Sequence, residues 1–417
     1  MKENKRLEFK EKVSNTFLKT VSAFANYDGG IIIFGIKDDG SFSPIDNLNQ
    51  TCLDIENTIN DNITPEVEYS LNINEIDKTI FLEVKSGHFK PYLYKSKAYK
   101  RNDTSTIEVD SLEFSRLVLE GKNINFESLP SDNQKLTFSF LKNKFKQILN
   151  IQSFNTDVLK TLSLYSDNNG FNKSAQLISD ENNFCWIDIA KFGDNINIIQ
   201  YRKTLETSSI LKLYEDSIEI FKNNYEYEEI KGSSRVQIHN IPETAFREAL
   251  ANAIIHRHWD INAKIRILMF NDKVEIISPG GLPSGLTKEE YLKGRISILR
   301  NPILSNVFYR LKIVEIFGTG VLRILDCYKE SIRKPDFDIS DNTITIILPF
   351  VVKDLGFSED TRTVYNALSK TIEKPISEII KTVPFGKSKI GEILNNLVES
   401  GYVSIIGNGR GTKYKIR

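Results

Sequence analysis

The chain has 417 residues, 40% of them hydrophobic and 26% charged. That is ordinary globular material, enough for roughly two to four domains. Its 55 Lys and Arg balance its 55 Asp and Glu, so no whole-chain field attracts a partner, and only local patches can. Cys52, Cys185 and Cys327 lie too far apart in sequence to form a CxxC pair, there is no apolar run of transmembrane length, and Met1 to Arg6 leads into no apolar signal core. These features exclude a disulfide framework, a cysteine zinc site and a membrane-spanning helix, and the expected location is cytoplasmic.

The order of elements is α+β and multidomain. From the N-terminus, residues 16–25 read as a helix, 26–30 as a turn and 31–36 as a buried strand. Residues 37–40 turn the chain. A helix over 54–62 and strands over 67–73 and 79–84 follow, completing a first mixed domain over 1–120. Residues 121–131 are a polar connector. A middle α/β domain over 132–235 alternates helical stretches (138–149, 210–223) with strands (185–190, 196–201) and carries no chemical motif.

Within the first domain, residues 85–101 carry Lys85, Lys90, Lys95, Lys97, Lys100 and Arg101 with no acid between them. Phe89, Tyr92, Tyr94 and Tyr99 interleave. Cations neutralise phosphates and aromatic faces stack on bases, so Lys90, Tyr92, Lys95, Lys97, Lys100 and Arg101 are candidate contacts to RNA or DNA. The competing reading is a strand pair with core tyrosines and a solvated lysine edge.

The third block, 236–352, holds the most informative pattern, Glu248-Ala-Leu-Ala-Asn252-Ala-Ile-Ile-His256. A carboxylate, a carboxamide and an imidazole at i, i+4 and i+8 share one face of a helix whose other positions are apolar. A polar line on an apolar helix needs a partner. A hydrated Mg²⁺–triphosphate suits this one: Asn252 to ligate the metal, Glu248 to orient or deprotonate water, His256 to support the phosphate side. Gly280-Gly281, after a strand over 274–277, permits close backbone approach to a base or phosphate. Gly318-Thr319-Gly320 opens a helix over 321–328 and can cradle phosphate at its N-terminus.

The last block, 358–417, reads as a winged helix. Helices run over 361–370, 376–383 and 390–399, and a hairpin follows over 402–416. Lys387 and Lys389 open the recognition helix and Arg410 sits at the wing tip, all three candidate nucleic-acid contacts. Such modules also serve in protein docking.

Two resemblances follow. Glu8-Phe9-Lys10, Ser22-Ala-Phe-Ala-Asn26, Gly29-Gly30, Phe34-Gly-Ile36, Lys90-Pro-Tyr92 and Tyr99-Lys-Arg101 resemble the AlbA-like domain of Schlafen-type proteins. Residues 248–258, Glu275 to Pro283, Arg300-Asn301-Pro302 and Gly318-Thr-Gly320 resemble the GHKL ATPase-like domain, an α/β sandwich. The first resemblance implies a metal-dependent RNA-cutting site of three acids, the first two spaced as Glu3 and Glu8 are. The third follows the Gly-Gly strand, at Asp38 or its neighbour Asp39, and Mg²⁺ or Mn²⁺ is the implied metal. The second resemblance implies ATP with Mg²⁺ at Glu248, Asn252, His256, Gly280, Gly281, Gly318, Thr319 and Gly320, and assembly as a homo-oligomer. In that family an Asp before the Gly pair reads adenine, and here Ser278-Pro279 stands in its place. The expected function is an ATP-binding, nucleic-acid-acting protein that cleaves RNA or DNA under nucleotide control, with a role in antiphage defence implied by family company. The alternative is an ATP-responsive DNA-binding regulator without cleavage.

Overall fold

A computed structural model describes residues 2–150, 153–183, 186–231, 234–283, 285–294, 298–315, 318–352, 357–369, 372–407 and 409–416. Of these, the side chains of 228–238 and of Arg410 lie outside the description. The chain divides into two compact units, Met1–Phe126 and Glu127–Arg417. No helix among the described residues is long and apolar enough to cross a membrane.

In the first unit, strand Leu7–Lys10 pairs in parallel with Gly30–Phe34, placing Leu7 opposite Ile31 and Phe9 opposite Ile33. Thr79–Val84 and then Tyr69–Asn74 extend the sheet antiparallel. A parallel pair needs a crossover, and helix Phe17–Asn26 supplies it. That helix is buried along almost its whole length, because it lies in the core instead of on a surface. Phe17 meets Phe34 edge-on at 5.3 Å between ring centres. The second helix, Leu48–Asn62, starts earlier than its apolar pattern suggests, because Asn47 accepts the Gln50 N–H and caps the first turn.

The second unit is built on one six-stranded sheet. Its order is Ile199–Glu206, Trp186–Phe192, Ile265–Met269, Lys273–Pro279, Thr343–Pro349, Asp336–Ile339. The pairings are antiparallel except the parallel seam between Trp186–Phe192 and Ile265–Met269, where Ile187 faces Ile265 and Ile189 faces Ile267. The strands expected in a separate middle domain therefore belong to the same sheet as those of the 236–352 block. Sequence periodicity finds strands but not their partners, so the division at 235 falls inside one layer.

Alternate residues Ile265, Ile267 and Met269, then Val274 and Ile276, then Ile344, Ile346 and Leu348, are buried. Each such side chain contributes roughly 1.5–3 kcal/mol of burial. Helices Ile210–Tyr225 and Glu243–Ile255 pack on the sheet and against each other, with Phe221 and Phe246 stacked at 3.9 Å and 10°.

The C-terminal residues form a small module. Helices Glu359–Asn366, Ile376–Ile379 and Lys387–Glu399 surround a core of Val364, Ile379, Ile390, Leu394 and Val403. Strands Lys374–Pro375, Lys413–Ile416 and Val403–Ile406 make a three-stranded antiparallel sheet in that order.

Candidate functional sites

Helix Glu243–Ile255 carries Glu248 and Asn252 one turn apart, as the spacing requires. Helix Gly320–Cys327 lies against it. At Gly320 the second helix comes close to the first: a Cβ there would stand 2.8 Å from Asn252 Nδ2 and 3.2 Å from Glu248 Oε2. Any larger residue there would require the Asn252 side chain to shift. The structure thus brings Glu248, Asn252 and Gly320 together, with Gly318 (φ +67°) and Thr319 leading into the same helix.

Glu248 is 6% exposed. Burial raises its pKa, and the nearby Arg323 guanidinium, 3.0 Å from Oε1, works against that rise. Arg323 also reaches Glu315 at 3.5 Å. Asn252 Nδ2 is buried and has no hydrogen-bond partner among the described residues. An orphaned buried amide costs about 1–3 kcal/mol, and it is the feature of this site that calls for a ligand.

His256 caps the C-terminus of the helix, its N–H bonded to the Asn252 carbonyl at 2.9 Å. Burial, helped by the charge of Arg300, pulls its pKa down to about 4, so the imidazole is neutral at ordinary pH. Its carbonyl accepts from Arg300 Nη1 at 2.5 Å. Arg300 Nη2 bonds the Gly281 carbonyl at 2.9 Å, and Asn301 Nδ2 bonds the carbonyls of Ile255 (2.7 Å) and Arg257 (2.9 Å). Arg300 and Asn301 therefore secure the end of the Glu248–Asn252 helix.

Gly280 and Gly281 have a packing role of their own. At Gly280, φ is +104° and a Cβ would stand 2.2 Å from the His258 ring; at Gly281 it would stand 2.6 Å from the carbonyls of Ser340 and Asp341. A side chain at either position would run into protein. These glycines let a strand end pass close to its neighbours.

Glu127 went unnoticed in the sequence because it sits in the polar connector. It is fully buried. Its carboxylate accepts from the N–H groups of Ile303 (2.6 Å) and Leu304 (2.9 Å), in the first turn of helix Pro302–Arg310, and from Ser174 Oγ (2.7 Å). Desolvation raises its pKa while these three donors pull it down. A carboxylate at a helix N-terminus is favourable, and this one anchors the helix that follows Asn301.

In the first unit the three expected acids are not gathered. Glu3 accepts the Phe9 N–H at 2.8 Å. Glu8 is 6% exposed and is paired with Lys10 at 2.5 Å and with Arg101. Asp38 is exposed in the 37–40 turn. Among the described residues no group of three His, Cys, Asp or Glu side chains could hold a metal ion. Two cations already neutralise Glu8, so these residues do not fit the implied metal.

The basic stretch is also less free than it reads. Lys85 pairs with Glu68, Lys90 with Glu120 (2.7 Å), Lys97 with Glu108 (2.7 Å), Lys100 with Glu113 and Arg101 with Glu8. Lys95 alone of the six has no acid partner among the described residues; it is exposed on a turn where Lys95 and Ser96 have φ of 51° and 62°. Tyr92, Tyr94 and Tyr99 are core residues, which removes Tyr92 as a stacking face, whereas Phe89 is 74% exposed. Tyr92 is held by Asn26, whose Oδ1 accepts its N–H (2.7 Å) and whose Nδ2 donates to its carbonyl (2.9 Å).

In the C-terminal module Lys387 is exposed at the start of its helix, and Lys389 pairs with Asp360 at 2.5 Å. The Arg410 side chain lies outside the described residues.

Residues 3–110 match the family model described as "Schlafen, AlbA_2". Residues 262–348 match the model described as "Putative ATP-dependent DNA helicase recG C-terminal". No curated protein matches the chain. Among solved structures, the DIP2311 protein from Corynebacterium diphtheriae is similar at a TM-score of 0.50 and 17% identity, covering 99% of this chain and 92% of that one, a likeness of fold alone.

Proposed function

We propose that the chain is a nucleotide-responsive nucleic-acid-binding protein. The carrying observation is the unpartnered Asn252 amide, one turn from the buried Glu248 and directly beneath Gly320. A magnesium–nucleotide would be held by Asn252 and by the Gly318–Gly320 loop, and its metal would supply charge neutralisation for the phosphates. Glu248 accepts a proton from water, a role its raised pKa suits. Because Gly320 packs onto both side chains, nucleotide entry moves the Gly318–Gly320 segment. Nucleotide occupancy is thereby read as a change in the position of that helix.

Nucleic-acid binding draws support from the two family matches over 3–110 and 262–348. In the C-terminal module, three helices followed by a hairpin, with Lys387 exposed, support a winged-helix reading. Binding without cleavage is the favoured form, since Glu8 is engaged by Lys10 and Arg101.

The test measures ATP affinity, then binding and cleavage of labelled tRNA, single-stranded RNA and duplex DNA, with Mg²⁺ or Mn²⁺ and with or without ATP. Wild type is compared with Asn252→Ala and Glu8→Ala. The expected result is ATP binding weakened about tenfold or more by Asn252→Ala, with nucleic-acid affinity that depends on ATP in wild type only. ATP affinity untouched by Asn252→Ala would sink the nucleotide site. Metal-dependent cleavage abolished by Glu8→Ala would replace the binding-only reading with a nuclease.

A further inference from the structure

A cleft of about 720 Å³ opens where the six-stranded sheet meets the C-terminal module. Residues 193–196 and 270–273, the Arg333–Lys334 segment, and Asn366, Leu368, Ser369, Ile372 and Lys374 line it. It shares no lining residue with the Glu248–Asn252 site and stands independently of the reading above.

Its cations are arranged unlike those of the 85–101 run, where Lys85, Lys90, Lys97, Lys100 and Arg101 each have an acid partner. Lys273 is satisfied by Glu275 at 2.5 Å, and among the described residues Arg333 has a long contact to Asp272 (3.5 Å) together with the Leu368 carbonyl (3.2 Å). Lys334 Nζ donates to the carbonyls of Tyr328 (2.7 Å) and Lys329 (2.9 Å), and Lys374 Nζ to that of Ala367 (2.9 Å). Neither ammonium has a carboxylate partner among the described residues. Each carries three N–H groups, so of their six, three are used and three remain. Carbonyls hold these two charges in place without cancelling them. Phe270, Leu368 and Ile372 add an apolar wall.

We infer that this cleft is an anion site for a phosphate group attached to a less polar body. A tetrahedral phosphate offers several acceptors to donors converging from separate elements. The chemistry fits a free phosphorylated compound or the backbone of a nucleic acid. Such a ligand would also join two parts of the fold. Arg333 and Lys334 follow Ile332, a residue of the C-terminal module's core, while Lys374 belongs to that module's own sheet.

The probe is inorganic pyrophosphate, titrated calorimetrically into the full chain. Wild type is expected to bind it, more weakly as salt rises, and Lys334→Gln/Lys374→Gln to lose about tenfold or more in affinity while retaining ATP binding. Asn252→Ala is expected to bind pyrophosphate as wild type does. Should the double variant fail to fold, acylation mapping of the wild-type lysines replaces it, with pyrophosphate expected to protect Lys334 and Lys374. Displacement of pyrophosphate by a single-stranded oligonucleotide assigns the phosphate to a nucleic-acid backbone, and lack of displacement assigns it to a free compound. No binding by wild type, undiminished binding by the double variant, loss in Asn252→Ala alone, or no protection of either lysine overturns the site.

Discussion

The Glu248 carboxylate and the Arg323 guanidinium are 3.0 Å apart across two packed helices, and Arg323 is the main group that opposes the effect of burial on Glu248. Removing Arg323 therefore raises the Glu248 pKa further. If Glu248 takes a proton from water, the acid limb of ATP turnover in Arg323→Gln moves to higher pH. A pH–rate profile measures this. An unmoved limb would show that Arg323 holds the helices together without tuning Glu248.

Two helical glycines make a paired test. Gly391, inside helix Lys387–Glu399, has nothing within 4 Å of its missing Cβ, while Gly320 has Asn252 Nδ2 at 2.8 Å. Gly391→Ala gains helix propensity and raises stability by up to about 1 kcal/mol. Gly320→Ala pushes on Asn252 and Glu248, so it forfeits that gain and weakens nucleotide binding. Urea unfolding and ATP titration of both variants check the contrast, which fails if the two behave alike.

Glu127→Ala leaves the N–H groups of Ile303 and Leu304 and the Ser174 hydroxyl without their acceptor. The expected loss is about 2–4 kcal/mol, large for one residue in a connector. A fall in the unfolding midpoint no greater than that of an exposed Glu→Ala control, such as Glu289→Ala, would show that water takes over the capping role.

His256 makes stability depend on pH. The unfolded chain protonates this imidazole near pH 6.5, the folded one only near 4. Its contribution is intact above pH 6.5 and drains away as pH falls toward 4, amounting to at most about 3 kcal/mol. Between about pH 7 and about pH 4.5, wild type should lose more stability than His256→Gln. Parallel curves for the two proteins would mean that the imidazole titrates normally.

The sequence announced what is local. Glu248 and Asn252 meet because a helical turn brings i and i+4 together, and the Gly318–Gly320 signature marked the helix that covers them. What it hid was long-range. The basic run 85–101 looked free because its acids, Glu108, Glu113 and Glu120, come later in the chain, and Glu8 much earlier. The close packing of Gly280 on His258 and of Gly281 on Ser340 and Asp341 was equally hidden, since those neighbours lie far away in sequence or in another element. Tyr92 read as a stacking face, yet its neighbours in space are Ser22 and Asn26 on a buried helix.

The shared six-stranded sheet sets a rule for cutting this chain. A fragment starting at residue 236 would retain Ile265–Met269 but lose its parallel neighbour Trp186–Phe192, leaving a row of open backbone groups beside Ile265, Ile267 and Met269. Such an edge invites pairing with other copies and precipitation. Any piece meant to carry the Glu248 helix in isolation has to begin no later than Glu127, which keeps both the missing strands and the cap on Pro302–Arg310.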